Sequence, residues 1–190
     1  MLKILHLLYG VILFALFAFL SSITDISAQA PAAKLANASL ILSPEFCETS
    51  IKKGSFISGK ETFEIGKEVC PQMEKTLQTV FSGLTRASKE SEAGSAQLVL
   101  IPKFVDLGAT KTATAFSDRE LVILLEWTIK DAAGKPVWVE TVQGSGKEHT
   151  GNVFTAGKNR KKLVAEAVKD LVDSSAKKMS EAAELRKFAK

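Results

Sequence analysis

The stretch that decides the fold is Leu121-Val-Ile-Leu-Leu-Glu-Trp-Thr-Ile-Lys-Asp-Ala-Ala-Gly-Lys-Pro-Val-Trp138. It contains two runs rich in β-branched and aromatic residues, separated by the turn-like segment from Asp131 to Pro136. This pattern predicts a β-hairpin. With the turn centred on Ala133-Gly134, we expect Ile129 to lie opposite Trp138 on the neighbouring strand.

The predicted register divides the hairpin side chains between two faces. Trp127, Ile129 and Trp138 share one face. The other face carries four aliphatic residues, namely Val122, Leu124, Val137 and Val139. Because both faces are apolar, the hairpin must be covered on two sides or leave one side for a partner. If helices cover the tryptophan side, these four aliphatic residues are the predicted partner-binding surface.

Apolar periodicity outside the hairpin predicts four further elements. They are a strand over 38–42, a helix over 66–84, a strand over 97–104 and a helix over 158–185. We therefore predict one α+β domain over 38–185. It is a two-layer sandwich in which two amphipathic helices cover one face of a mainly antiparallel sheet. Residues 186–190 are predicted to form a C-terminal tail.

The N-terminus has the organisation of a secretory signal peptide. Lys3 precedes an apolar run from Ile4 to Leu20, and a polar, small-residue stretch ends in Ala28-Gln-Ala30. We predict a signal peptide over 1–30, a flexible leader over 31–37 and a periplasmic or secreted location. An uncleaved membrane anchor is the alternative. Since the first cysteine is Cys47, lipid attachment just after the signal is not expected.

The two cysteines, Cys47 and Cys70, both lie in the exported part. In an oxidising compartment they are expected to form one disulfide, with a stabilisation of about 3 kcal/mol. Two alternatives stay open. Pro71 could start a helix, which would place Cys70 at a helix N-terminus as a reactive thiol. Both thiols could also be buried and free.

No catalytic, cofactor-binding or metal-binding pattern stands out. His149, within a predicted loop over 144–157, is the one histidine of the exported part. The fragment Gly144-Ser-Gly-Lys147 lacks the earlier glycine and the following Ser or Thr of a phosphate-binding loop. We predict no catalytic residue, cofactor or metal site. A periplasmic enzyme or thiol-redox protein centred on Cys70 or His149 is the alternative.

The charge of the chain is mildly basic, with a formal net charge of +4. Residues 158–190 carry ten Lys or Arg and five Asp or Glu. Such a helix can touch anionic lipid head groups at a membrane surface, or it can simply be solvated. Nucleic acid is not an expected partner of an exported protein.

The order of strand, amphipathic helix, the hairpin over 121–138 and a closing helix resembles small bacterial envelope lipoproteins and periplasmic assembly accessories. That group includes accessories of curli secretion and of lipopolysaccharide transport. The resemblance covers about residues 38 to 185 and implies a non-catalytic protein that docks on envelope proteins or lipids. The chain departs from the lipoprotein pattern by lacking the acylated cysteine.

Overall fold

The computed structural model describes residues 33–55, 59–107, 119–148 and 156–189. The predicted signal peptide lies outside these ranges. From Lys34 onward the chain forms one compact unit with a continuous hydrophobic core.

The main sheet has five strands in the spatial order β4-β1-β5-β6-β7. The strands are β1 (Ala38–Ile41), β4 (Leu84–Ala87), β5 (Leu98–Asp106), β6 (Arg119–Asp131) and β7 (Pro136–Glu148). β1 runs parallel to both of its neighbours, whereas β5, β6 and β7 pair antiparallel. The α+β class is confirmed. The sheet is mixed, with short parallel pairings on both sides of β1 and longer antiparallel pairings among β5, β6 and β7. A separate antiparallel pair joins β2 (Ile51–Ser55) and β3 (Gly59–Phe63).

The described residues also form four α-helices. They are α1 (Pro44–Cys47), α2 (Ile65–Val80), α3 (Ala156–Glu181) and α4 (Ala183–Arg186). The two long helices correspond to the predicted helices over 66–84 and 158–185. α2 packs against α3, and α3 packs against β6 and β7. The long helices therefore contribute to the same core as the sheet.

Helix α2 follows from its apolar stripe. Val69, Met73 and Leu77 recur at three- and four-residue intervals, and all three are buried. Its first turn is tied to the preceding segment, since the Gly66 N–H donates to the Thr49 carbonyl over 2.9 Å. Pro71 lies inside the helix, where it removes one hydrogen-bond donor. Burial of the stripe on both sides of Pro71 offsets that loss.

Strand β4 was not predicted, because Leu84–Ala87 falls between the end of the predicted helix and an expected polar connector. Its four residues have no apolar alternation that would identify a strand locally. Their strand character comes from parallel pairing with β1, which places Leu84 beside Ala38 and Ala87 beside Ile41. A long-range partner therefore defines this element.

The predicted leader and tail pack more closely than expected. Leu35 and Ala36, within the leader, are buried, and Leu35 forms bridges with Phe81 and Ala189. In the tail, Phe188 packs against the core. The apolar side chains of the described part of the leader therefore complete the core beside the C-terminus.

Candidate functional site

The β6–β7 hairpin has two unlike faces. The predicted register is observed: Ile129 lies opposite Trp138, and Trp127 lies opposite Glu140. Odd-numbered residues of β6 from 121 to 129 are all buried, and we call their side of the sheet the closed face. Even-numbered residues from 122 to 130 are all half-exposed, and we call their side the open face.

Helix α3 packs on the closed face through a buried polar contact. The indole N–H of Trp127 donates to the Ser175 hydroxyl over 3.0 Å, and that hydroxyl donates to the Leu171 carbonyl over 2.7 Å. Both side chains are buried. A buried tryptophan needs a partner for its N–H, and the helix supplies one. This contact fixes which side of the hairpin faces the helix.

Two glycines of β7 allow the helix backbone to come close. A Cβ on Gly144 would lie 2.4 Å from the Leu171 Cβ, and one on Gly146 would lie 2.3 Å from the Leu163 carbonyl oxygen. No side chain fits there, so glycine is required for this close approach. The prediction of a loop from residue 144 is wrong, because β7 continues to Glu148. The fragment Gly144-Ser-Gly146 therefore packs against helix α3.

The outer edge of β7 is also occupied by helix α3. The Ser145 backbone N–H donates to the Asp170 carboxylate over 2.8 Å. About two turns further along α3, the Lys178 ammonium group donates to the Glu140 carboxylate and to the Thr141 carbonyl. An exposed edge strand presents unpaired N–H and carbonyl groups to other chains. These contacts cover part of that edge, so the face of the sheet is left as the more accessible surface.

The open face carries the four predicted contact residues, but in two groups. Val139 lies opposite Thr128, whereas Leu124 lies opposite Gln143, two rows further along the ribbon. At about 3.4 Å per residue, four residues along β6 separate the two groups by about 14 Å. Val122 is beside Leu124. Val137 lies at a register shift in β7, next to the Val139 group.

A polar row divides these two groups. Lys103 of β5 lies opposite Glu126 of β6, and Glu126 lies opposite Thr141 of β7. The open face is therefore mixed, with aliphatic groups on either side of a charged row. Glu126 and Lys130 are also the signal in the sequence that this face is the solvent-facing one, since the buried positions of β6 carry no charge.

Charges at the two ends of the open face are paired within the chain. Glu120 and Lys147 approach to 3.6 Å at one end, and Lys130 and Glu90 to 2.6 Å at the other. Ion pairs at such exposed sites contribute little to stability. Because these charges are paired, the ends of the open face carry no large patch of positive or of negative charge.

The cysteines form the predicted disulfide. Cys47 of α1 and Cys70 of α2 are joined, with their Cα atoms 5.8 Å apart. The alternative of a reactive thiol at a helix N-terminus is wrong, because α2 begins at Ile65 and Cys70 follows five helical residues. Free buried thiols are excluded by the same bond. Gly66 allows α1 to approach, since a Cβ there would lie 2.3 Å from the Phe46 carbonyl oxygen.

His149 lies outside the described residues, so its surroundings stay a matter of prediction. Within the described ranges, no three His, Cys, Asp or Glu side chains come together in a way that could hold a metal ion. Among the helices of those same ranges, none has both the length and the apolar character needed to cross a membrane.

The exposed lysines of α3 are interleaved with acids. Lys162 pairs with Glu166 at 3.7 Å, and Lys169 pairs with Asp173 at 2.6 Å. The hydrogen bond to Asp173, together with the charge of that carboxylate, raises the pKa of the Lys169 ammonium group. These are typical pairs of a solvated helix surface.

No known family model matches the chain, and no curated protein sequence resembles it. Solved structures of similar architecture include a minor lipoprotein from Acinetobacter baumannii, with a TM-score of 0.45 and 14% identity over 76% of this chain and 90% of that one. A DUF330 protein from Xanthomonas campestris has a TM-score of 0.46 and 8% identity, with coverage of 80% and 90%. PelC from Paraburkholderia phytofirmans, a dodecamer, has a TM-score of 0.37 and 17% identity, with coverage of 78% and 94%.

With TM-scores of 0.46 or less, these likenesses leave the resemblance to small envelope lipoproteins a prediction. They describe an arrangement of strands and helices. No activity or partner follows from them at these identities.

Proposed function

We propose that the protein is an exported, non-catalytic docking protein of the bacterial envelope, which binds another envelope component through the open face. The contact residues are Val122, Leu124, Val137 and Val139. One observation carries the proposal: helix α3 covers the Trp127 side of the hairpin, while the aliphatic side chains on the opposite side stay half-exposed or exposed.

Exposure of these residues supports recognition. Val139 is 56% exposed, a high fraction for an aliphatic side chain within a paired strand. A face that mixes aliphatic groups with internally paired charges is typical of surfaces that bind proteins without being permanently buried. Because helix α3 covers part of the β7 edge, we expect a partner to bind the open face rather than to add a strand at that edge.

A membrane contact through α3 is the weaker form of this proposal. Its exposed face carries more basic than acidic residues, but Lys162 and Lys169 already have carboxylate partners. Anionic vesicles should therefore bind the protein weakly, and the binding should disappear at high salt. Salt-resistant binding to the vesicles would make the membrane the main partner and displace the open face from that role.

The test uses the double variant Val122→Asp/Val139→Asp. Two added charges should prevent capture of the bound component from envelope extract while leaving the circular dichroism spectrum and the melting temperature close to those of the wild type. The matched control is Gln78→Asp/Ser82→Asp, which adds the same charge at exposed positions in and just after helix α2, away from the open face.

Three outcomes decide the proposal. Capture by the control but not by the valine variant supports it. Equal capture by both variants contradicts it, because the aliphatic groups would then not be in contact. Unfolding of the valine variant also contradicts it, since these residues would then belong to the core.

A further inference from the structure

The polar row of the open face carries one basic and one acidic side chain on neighbouring strands. Lys103 of β5 lies directly opposite Glu126 of β6. Lys103 is exposed and Glu126 is half-exposed, and neither forms an ion pair with another residue of the described ranges. The middle of the open face therefore presents a positive and a negative charge at the same height along the strands, in contrast to the paired charges at its ends.

Aliphatic side chains lie on both sides of this row. On one side, Ile101 is opposite Thr128, which is opposite Val139. On the other side, Leu124 lies beside the bulge of β5 that contains Val105. Val105 is 54% exposed and Val139 is 56% exposed. Along the strands, the open face thus reads aliphatic, charged and aliphatic.

A complementary surface must repeat this order with the two charges exchanged. It needs an acid facing Lys103, a base facing Glu126, and apolar groups facing the aliphatic side chains. A second copy of the open face meets this requirement when a two-fold axis runs along the strands between β5 and β6. That rotation exchanges the positions of β5 and β6 but keeps every row at its height. Lys103 then faces Glu126 of the second copy, and Glu126 faces Lys103 of the second copy.

The charged row also selects the direction of the two-fold axis. An axis across the strands, through the polar row, would place Lys103 against Lys103 of the second copy and Glu126 against Glu126. Like charges that face each other in an interface are unfavourable. The axis along the strands avoids this, and it keeps the strands of the two sheets closely aligned, as in face-to-face packing of β-sheets.

The size of the open face indicates a weak contact. Four strands spaced by about 4.8 Å and about eight residues long, at about 3.4 Å per residue, span about 500 Å² on each copy. Two such faces bury about 1,000 Å² in total, which is the lower limit for a specific interface. We therefore expect a reversible dimer with a dissociation constant in the micromolar range or weaker.

We infer that the partner of the open face is a second copy of this chain, bound face to face about a two-fold axis that runs along the strands between β5 and β6. This inference rests on the proposed function and names the partner of the same surface, so that the bound envelope component is another molecule of this protein. A contact in which the same surface is used by both copies closes on itself, so it gives a dimer and not a filament.

The first experiment measures sedimentation equilibrium of the exported protein at low salt, from micromolar to submillimolar concentration. A monomer–dimer equilibrium is expected, and it should weaken as salt is added, because the charges of the polar row are screened. Lys103→Glu and Glu126→Lys should each weaken the association about tenfold or more, since each places like charges against each other in the dimer. A wild-type protein that stays monomeric at every concentration would overturn the inference.

The second experiment mixes the two charge variants. In an equimolar mixture of Lys103→Glu and Glu126→Lys, every charged position of the row faces the opposite charge on the other chain, so dimers of mixed composition should form with about the affinity of the wild type. The double variant Lys103→Glu/Glu126→Lys should also dimerise, and it decides the question if one single variant misfolds. Absence of association in both the mixture and the double variant would contradict the proposed arrangement.

The matched controls are Lys75→Glu and Glu68→Lys, which make the same charge changes at exposed positions of helix α2. They should leave the association unchanged. If they weaken it as much as the variants of the polar row do, the effect comes from net charge alone and the inference is wrong.

Failure of this inference can be separated from failure of the proposed function. If the wild type is monomeric and Val122→Asp/Val139→Asp still loses capture of a component from envelope extract, the open face binds a different chain and only this inference fails. If the valine variant captures the component as well as its control on α2 does, the proposed function itself is wrong.

Discussion

The two faces of strand β6 are made of alternate residues of one short run, yet one face is in the core and the other faces solvent. The buried positions include Trp127 and Ile129, and none of them is charged. The half-exposed positions are Val122, Leu124, Glu126, Thr128 and Lys130, two of which are charged. Burying a charged side chain without a partner is costly. Glu126 and Lys130 are therefore enough to keep the open face of this otherwise apolar hairpin toward solvent, so that the helix covers the other face.

The largest effect is expected from Trp127→Ala, on the closed face. It should lower the free energy of unfolding by about 3–5 kcal/mol, because it opens a cavity and leaves the Ser175 hydroxyl without its donor. Urea denaturation followed by circular dichroism measures the change. Thr128→Ala, the next residue on the open face, is the control and should cost less than about 1 kcal/mol. Similar losses for both would remove the distinction between the faces.

The disulfide supports the closed side through α2, and its loss should come next in size. The double variant Cys47→Ser/Cys70→Ser is expected to lose about 3 kcal/mol of unfolding free energy, mainly because the unfolded chain regains freedom. Chemical denaturation under matched conditions measures the loss. Mass spectrometry of the non-reduced wild type should show the Cys47–Cys70 link, resistant to mild reductant. A link that mild reductant opens easily would bring back a redox role for this pair.

Gly144→Ala tests the close approach of helix α3 to β7. A methyl group at that position meets the Leu171 side chain, so the variant should be destabilised by about 1–3 kcal/mol. Gln143→Ala, its exposed neighbour on the open face, should be close to neutral. Thermal unfolding of the two variants measures the difference. If Gly144→Ala were as stable as the wild type, helix α3 would not approach β7 as closely as the structure shows.

The smallest effect on stability is expected from Val139→Thr. The substitution keeps the β-branched shape and removes apolar surface from a residue that is already 56% exposed, so stability should change by less than about 0.5 kcal/mol. Capture of the envelope component should still weaken. A large loss of stability in urea denaturation would show that Val139 belongs to the core. The open face would then not be an accessible binding surface.

Much of the site was predictable because it is local. Period-two alternation and a turn around Ala133-Gly134 were enough to place Ile129 opposite Trp138, as observed. The division of the aliphatic residues into two groups was missed, although Glu126 already marked it. The roles of Gly144 and Gly146 could not be found, because a glycine in a strand carries no sign of which helix will approach it.

The sequence by itself determined the register of the hairpin, the amphipathic helices and the availability of two cysteines for pairing, because each depends on residues close together in the chain or on composition. Only the tertiary structure decided that helix α3 is the element that covers the Trp127 side and that Leu84–Ala87 is a strand. Those features depend on contacts between segments far apart in the chain, such as Trp127 with Ser175 and Leu84 with Ala38. Local periodicity contains no information about such partners.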